Sequence, residues 1–498
     1  MKPVHLILSL VFTTSIAAAQ NQAYISTEQA VEDIDYMISS IEAIHYNPYF
    51  KTSREDFYRY KEQLVGDFDK DSISLKLFIA TGMKLSAHLS GGHTAMDWHN
   101  NQIIPELMGY HFLPFTGALS AGDSTFIVSR SAHQDIKEGA EVKAINGISV
   151  VELYEECMAY FGGIASYKNA SCEKAFPLYL FFTNKLFPPY DIQLADSKIH
   201  TAGLDVSGIN SFLSEGQTVD NYTFGVINNE IGLITYNSCT DYEAFEVFLN
   251  QTFKEIAEQK INKLIIDIRT NGGGDSNLND LLLSYLTTKP YQQSAGRYWK
   301  VSRQAKEAYK ENGYEQYFGD DFMQSYYKAE NGSIIESFEE ALTHPEKPAH
   351  YFSGQSCFLI GPNTFSSANF LADAVKTYEL STLIGSATGE LTNDFGELIQ
   401  FVLPNSGNYV YVSSTYDIGA NGKPDLFQPV YPDIQTQGDA LELIRGLQDD
   451  SLHCFLSDIP YGISLDEWDV LHKNTNSALL GQSPAQQGKS GFKRRGKP

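Results

Sequence analysis

Two stretches in the second half of the chain decide its fold: LIIDIRTNGGG at residues 264–274 and CFLIGPNTFSSA at residues 357–368. Each begins with an apolar run typical of a buried strand, passes through turn residues and enters a segment of helical pattern. Backbone N–H groups at the start of a helix have no partner within the helix, so they can hold an anion. The first junction offers glycines and the second offers a serine. Placed side by side, they could supply an oxyanion hole and a nucleophile, which acyl transfer requires.

Strand and helix patterns alternate around these junctions. Residues 231–236 have the pattern of a strand, and residues 242–259 have the spacing of a long helix that leads to the first junction. The alternation continues to about residue 440. It predicts an α/β core for the second half of the chain.

The order and spacing of three motifs in this core resemble peptidase family S41. The motifs are DIRTNGGG at 267–274, TFSSA at 364–368 and IGSATG at 384–389. The family contains the tail-specific and C-terminal processing proteases, tricorn protease and the interphotoreceptor retinoid-binding proteins. The resemblance extends from about residue 220 to about residue 440, and it is looser upstream to about residue 30. It implies a ββα spiral core of the ClpP and crotonase type.

The resemblance also implies roles for residues at both junctions. The nucleophilic serine of the family directly precedes an alanine, so Ser367, before Ala368, is the expected nucleophile; a serine at a helix start is otherwise most often an N-cap. The expected oxyanion donors are the N–H groups of Ala368 and of Gly273 or Gly274, because glycine lets the main chain approach a substrate closely. Which glycine donates is left open.

The general base differs between branches of the family. The processing proteases use a lysine about twenty-five residues after the serine, but this chain has no lysine between Lys376 and Lys423. The tricorn-like branch uses an upstream histidine in a segment often written Asp-Gly-His-Thr. Gly-Gly-His-Thr at residues 91–94 matches that segment, with Gly91 in place of the aspartate, so His93 is the expected base. The weaker candidates are His88 and His99.

A carboxylate should orient the imidazole, and four downstream residues are open candidates: Glu390, Glu397, Asp425 and Asp433. By its spacing from the serine, Asp425 best resembles the glutamate of tricorn, so it is the preferred third member. Asp433 matches a family landmark that looks structural. Asp267 and Arg269 are also interpreted as structural, because they end a strand.

The N-terminus has the features of a secretory signal peptide. Lys2 precedes the apolar residues 6–12, and Ala17–Ala19 form a small-residue cleavage signal. The apolar run is too short to cross a bilayer. We expect Gln20 to begin an exported mature protein that is periplasmic or extracellular.

Patterns upstream of the core predict two further units. Isoleucines at three- and four-residue spacings indicate a helical domain, in which Ser53 and then Asp71 or Ser72 could cap further helices. Short strands follow, with Asn146-Gly147 as a hairpin signal, and they resemble the PDZ-type module of many S41 peptidases. The predicted divisions are a signal peptide at 1–19, a helical domain at 20–100, a PDZ-like domain at 105–210, the S41 core at 220–445 and a C-terminal extension with a disordered basic tail at 446–498.

Composition excludes several classes of partner. A formal charge of −25 argues against binding to nucleic acid or to anionic membranes. The five cysteines are too few and too irregular for a disulfide scaffold or a zinc site. The chain has no metal-ligand cluster, P-loop or dinucleotide fingerprint, so no cofactor is expected.

Two functions follow from the sequence. The first is an exported serine endopeptidase that cleaves peptides or unfolded proteins through an acyl-enzyme. The alternative is a catalytically inactive protein of the S41 fold that binds peptides or small hydrophobic ligands. Gly91 in place of the aspartate favours the alternative.

Overall fold

The computed structural model describes residues 22–89, 91–120, 125–215, 220–227, 231–338 and 341–436. The predicted signal peptide and C-terminal extension lie outside the described residues. Within these ranges the strands form four sheets, one of two strands and three larger ones. The predicted α/β class is confirmed.

The first unit is built from three helices and a short antiparallel strand pair. Its elements are β1 (Tyr24–Ser26), α1 (Thr27–Ile44), α2 (Arg54–Gly66), β2 (Ser72–Ser74) and α3 (Leu75–His88). Ser26 and Ser53 cap α1 and α2 by accepting a backbone N–H. The predicted cap of α3 at Asp71 or Ser72 was wrong: residues 72–74 pair with β1, and Ser74 caps the helix instead.

A small antiparallel β module follows, with its own apolar core. Its elements and those leading to it are β3 (Ala95–Met96), a 3₁₀ turn at Asn101–Ile103, α4 (Ile104–Gly109), β4 (Phe115–Leu119), β5 (Phe126–Ser131), β6 (Glu141–Ile145), β7 (Ile148–Ser149), α5 (Val150–Met158), α6 (Ala165–Thr183), β8 (Tyr190–Leu194), β9 (Lys198–Thr201) and α7 (Val206–Ser214). The strand order is β4-β5-β6-β8-β9, with β7 paired to β6. Asn146 and Gly147 form the turn between β6 and β7, both with positive φ. That the module is of the PDZ type stays a prediction.

The remaining elements complete two sheets. They are β10 (Tyr222–Ile227), β11 (Ile231–Tyr236), α8 (Tyr242–Gln259), β12 (Lys263–Asp267), α9 (Asn277–Leu286), β13 (Ser294–Lys300), α10 (Arg303–Glu311), α11 (Glu315–Phe318), α12 (Asp320–Lys328), β14 (Ile334–Phe338), β15 (Gln355–Ile360), α13 (Ser367–Thr377), β16 (Thr382–Gly385), β17 (Asp394–Val402), β18 (Tyr409–Gly419) and β19 (Ile434–Gln435).

The main sheet has the order β10-β11-β12-β15-β16-β19 and is parallel apart from the β10-β11 hairpin. Its apolar core includes α8, α9 and α13. Since β12 and β15 are adjacent and parallel, the two junctions that follow them leave the same edge of the sheet. This adjacency brings the glycines and the serine together.

The other sheet fixes the segment that carries the candidate base. Its order is β14-β13-β18-β17, and β3 pairs with β18 through Met96 opposite Val410 and Ala95 opposite Tyr411. Because β3 begins two residues after His93, this pairing holds the histidine loop against the C-terminal half of the chain.

No described helix is both long and apolar enough to cross a membrane.

Candidate active site

The glycine loop lies directly against the serine loop. Gly273 has φ of +93°, and a Cβ built on it would lie 2.6 Å from Cβ of Ser366 and 2.9 Å from the backbone N of Ser367. Side chains rarely adopt this backbone conformation, and one here would collide with the serine loop. Glycine is therefore required where the two junctions meet.

Ser367 is the first residue of α13 and is buried. Its Oγ donates a hydrogen bond of 2.6 Å to the carbonyl oxygen of Gly274. Its own carbonyl accepts a hydrogen bond of 2.8 Å from Nδ2 of Asn279, which fixes the start of the helix. The hydroxyl thus rests against the glycine loop.

Ser366 takes an unusual conformation just before the helix. Its φ is +55° and its ψ is −128°, a region that costs a residue other than glycine on the order of 1–3 kcal/mol. The N–H of Ser366 donates a 2.6 Å hydrogen bond to Oε2 of Glu390. The carboxylate therefore helps to hold the turn that presents Ser367.

His93 contacts the other oxygen of the same carboxylate. Its Nδ1 lies 2.9 Å from Oε1 of Glu390, and the two side chains are only 10% and 4% exposed. The imidazole also packs on the ring of Phe365, with 4.6 Å between ring centroids. One buried carboxylate thus joins the histidine loop to the serine loop.

The electrostatic surroundings favour the protonated form of His93. Burial by itself would lower the pKa of His93, but the negative charges of Glu390, Asp394 and Asp417 outweigh burial and raise the pKa. A carboxylate at Nδ1 favours the tautomer whose proton is on Nδ1, which leaves Nε2 able to accept a proton. This is the arrangement of a general base oriented by a carboxylate.

The candidate oxyanion donors differ in their availability. The N–H of Gly273 donates to Oδ1 of Asn271 at 2.8 Å, and the N–H of Ala368 donates to the carbonyl of Phe365 at 3.1 Å. Within the part of the chain that the structure describes, the N–H of Gly274 makes no hydrogen bond. Of the two candidate glycines, Gly274 is therefore the one whose N–H has no acceptor among the described residues.

The structure does not bring Asp425 to His93. Asp425 is exposed, and the carboxylate beside the imidazole is that of Glu390, one of the candidates that the sequence left open. Of the other two, Glu397 pairs with Arg297, and Asp433 pairs with Lys376.

The weaker base candidates have other surroundings. The ring of His88 packs against Phe57 and Tyr60, and Nδ1 of His99 lies 2.6 Å from Oδ1 of Asp97. Asp267 forms two hydrogen bonds with the guanidinium of Arg269, of 2.9 and 2.7 Å, within the first junction.

Of the four carboxylates that the sequence left open, Glu390 lies at the imidazole, and Asp394, which no sequence motif indicated, also acts on its charge. A usable signal existed for Glu390, because it precedes the segment in which the Ser/Lys branch carries its base. Asp394 is buried at the start of β17 and accepts the N–H of Phe395 at 2.8 Å. Burial and the charge of Glu390 raise the pKa of Asp394 to about 7. A Cβ built on Gly91 would lie 3.4 Å from Oδ1 of Asp394.

A cleft of about 690 Å³ begins beside the glycine loop at Asp275. Its walls include Tyr242, Leu281, Tyr317 and Pro345. In the described ranges, no group of three or more His, Cys, Asp or Glu side chains is arranged to hold a metal ion.

Comparison with solved structures identifies the fold. The crystal structure of a mutant of CPAF aligns with a TM-score of 0.61 at 14% identity, covering 82% of this chain and 93% of that chain. Mature CPAF aligns with a TM-score of 0.58 at 14% identity, covering 82% of this chain and 92% of that chain. Mature CPAF complexed with lactacystin aligns with a TM-score of 0.56 at 14% identity, covering 82% of this chain and 93% of that chain. At this identity the likeness shows a shared fold.

On this fold, the structure places a buried serine, a histidine and a carboxylate on adjoining loops. Residues 230–436 match the model of peptidase family S41. This match confirms the resemblance to peptidase family S41 seen in the sequence motifs.

One curated protein is similar over a short stretch. The Type II methyltransferase M.HindIII of Haemophilus influenzae is 58% identical over 60 residues, which are 12% of this chain. The chain spans 19% of the length of that methyltransferase. The similarity therefore assigns no activity to this chain.

Proposed function

We propose that the protein is an exported serine endopeptidase that cleaves peptides or unfolded proteins through an acyl-enzyme intermediate. Ser367 is the nucleophile, His93 is the general base and Glu390 orients the imidazole. The N–H of Gly274 stabilises the oxyanion, and the N–H of Ala368 joins it by leaving the Phe365 carbonyl, to which it donates at 3.1 Å. The observation that carries this proposal is the carboxylate of Glu390, which contacts Nδ1 of His93 and the N–H of Ser366 together.

The first half of the reaction forms an ester on the serine. The Ser367 hydroxyl turns from the Gly274 carbonyl towards Nε2 of His93, which accepts its proton as Oγ attacks the peptide carbonyl. Glu390 stabilises the imidazolium, and the backbone N–H groups hold the negative oxygen. The imidazolium then protonates the departing amine, and the C–N bond breaks.

The second half releases the acid. A water molecule gives a proton to Nε2 of His93 and attacks the ester carbonyl. The imidazolium then returns this proton to Oγ of Ser367 as the C–O bond breaks. The enzyme returns to its starting state, with no cofactor used.

The location and the substrate class belong to the same proposal. The predicted signal peptide would direct the chain out of the cytoplasm, and N-terminal sequencing of the exported protein should then begin at Gln20. The open cleft beside Asp275 adjoins the glycine loop, so we assign it to side chains of the bound peptide.

Two adjacent serines offer a matched test. We expect Ser367→Ala to abolish peptide cleavage and labelling by a serine-reactive phosphonate, while Ser366→Ala keeps most of both because its contribution is a backbone N–H. Lactacystin, which is present in a structure of mature CPAF, is a second probe. Cleavage or labelling that persists in Ser367→Ala would remove this serine from the mechanism.

A second candidate is an inactive binding protein for peptides or small hydrophobic ligands. The observation in its favour is the hydrogen bond from Ser367 to the Gly274 carbonyl, which directs the hydroxyl proton away from a base. An unactivated serine should not react with the phosphonate. Absence of labelling together with binding of an intact peptide, measured by calorimetry, would favour this candidate.

A further inference from the structure

The three loops that carry the serine, histidine and glutamate meet around one aromatic ring from the β module. That ring belongs to Tyr167, on the first turn of α6. It stacks on Phe365, with ring centroids 4.5 Å apart and an interplanar angle of 23°. Phe365 in turn packs on His93, so the tyrosine, the phenylalanine and the imidazole form a continuous row of rings.

The other two loops approach Tyr167 through glycines. A Cβ built on Gly92 would lie 3.5 Å from Cε1 of Tyr167, and one built on Gly389 would lie 3.2 Å from its Cδ2. Gly92 precedes His93, and Gly389 precedes Glu390. The ring therefore contacts the residue next to each of these two groups, as well as the residue that starts the serine turn.

The backbone of the module reinforces this contact. A Cβ built on Gly162 would lie 2.4 Å from the carbonyl oxygen of Gly91, and one built on Gly163 would lie 3.3 Å from Cα of Gly92. The connection between α5 and α6 thus packs directly on the histidine loop. This close approach is possible only because the residues on both sides are glycines and carry no side chain.

We propose that Tyr167 is a positioning residue for the peptidase reaction: its ring sets the relative placement of the serine, histidine and glutamate loops. This inference rests on the proposed function. Aromatic stacking fixes distance and tilt between rings, whereas the histidine loop is far from the other two loops along the chain. A displacement of about 1 Å between reacting groups can cost about 100-fold in rate.

Two substitutions of Tyr167 separate the effect of its ring from that of its hydroxyl. Tyr167→Ala should lower kcat by about 100-fold with KM within about threefold of the wild type, because the loops lose their common contact. Tyr167→Phe keeps the ring and should restore kcat to within about threefold. Hydrogen exchange measured by mass spectrometry should rise in segments 91–94, 365–367 and 388–391 of Tyr167→Ala but not of Tyr167→Phe.

Tyr179 provides the matched control. It lies on the same helix and is also half-buried, and its ring contacts are Tyr160, Phe161 and Phe182. Tyr179 thus supports the connection between α5 and α6, but its ring contacts include no residue of the three loops, so it separates support of the module from contact with the loops. Tyr179→Ala should keep kcat within about threefold and leave exchange in the three segments unchanged. An equal loss in both alanine variants, or unchanged exchange in Tyr167→Ala, would overturn the proposal. Should the wild type cleave no peptide and take no phosphonate label, the proposed function fails, while the exchange measurement still decides the role of Tyr167.

Discussion

Replacement of Glu390 by glutamine tests the central feature of the site. Glutamine has the same shape, so its amide oxygen can still accept the N–H of Ser366, but the negative charge beside His93 is lost. Both side chains of the pair are nearly buried, with 10% and 4% exposure, so solvent screens their interaction little. The variant therefore isolates the charge from the shape.

The size of the effect follows from Coulomb's law. Nδ1 and Oε1 are 2.9 Å apart, and the charges spread over both groups are separated by about 4 Å. In an effective dielectric of about 20, such a pair is worth about 4 kcal/mol. If the imidazolium loses that stabilisation in the transition state, the rate falls roughly 1000-fold.

The assay is kcat/KM for a fluorogenic peptide as a function of pH. A base acts in its neutral form, and the Glu390 charge raises the pKa of His93. Glu390→Gln should lower that pKa, so the fall in activity on the acidic side should move to lower pH. Thermal unfolding at each pH controls for loss of fold.

Asp425→Asn provides the comparison, since spacing in the sequence favours Asp425 and the structure favours Glu390. We expect Asp425→Asn to stay within about threefold of the wild type, because an exposed carboxylate away from His93 contributes little in water. A 1000-fold loss in Asp425→Asn, with Glu390→Gln within tenfold of the wild type, would refute the reasoning.

Two further predictions concern groups packed around this pair. Gly92→Ala would place a Cβ 2.7 Å from Cζ of Phe365, so we expect a cost of about 1–3 kcal/mol in unfolding free energy and a clear fall in kcat/KM. The control is Gly66→Ala, because a Cβ on Gly66 meets nothing within 4 Å. Equal activity in both variants would contradict the packing argument. The pKa of Asp394 is raised from 3.8 to about 7, so its contribution to stability is fully present below about pH 4 and is lost as pH rises through about 7. Asparagine does not titrate, so the melting temperature of Asp394→Asn relative to the wild type should increase from pH 5 to pH 8; a difference that is constant over this range would show that Asp394 does not titrate as described.

Several features of the site were predictable because they depend on local pattern. An apolar strand followed by glycines or by a serine fixes where a chain leaves a sheet, and the structure places both junctions on adjacent parallel strands. The Gly-Gly-His-Thr segment identified His93, which the structure places beside Phe365 of the serine loop. The roles of the serine and the histidine in the reaction remain part of the proposed function.

Other features depend on contacts between distant segments. Spacing along the chain favoured Asp425, but the choice of carboxylate is made by the path of the loop between β16 and β17, which places Glu390 between His93 and Ser366. Ser74 caps α3 in place of Asp71 or Ser72, because residues 72–74 pair with β1 as strand β2. Such pairings cannot be predicted from the sequence of either segment alone.

The amino-acid sequence by itself determined the α/β class, the resemblance to family S41, and the serine and histidine candidates, because strand, turn and helix signals and short motifs act over a few neighbouring residues. Only the tertiary structure decided that Glu390 is the carboxylate at His93, that the N–H of Gly274 has no acceptor among the described residues, and that the ring of Tyr167 lies between three loops. The physical reason is that hydrogen bonding, burial and ring stacking act through space. The partners they select are set by the pairing of β3 with β18 and of β12 with β15.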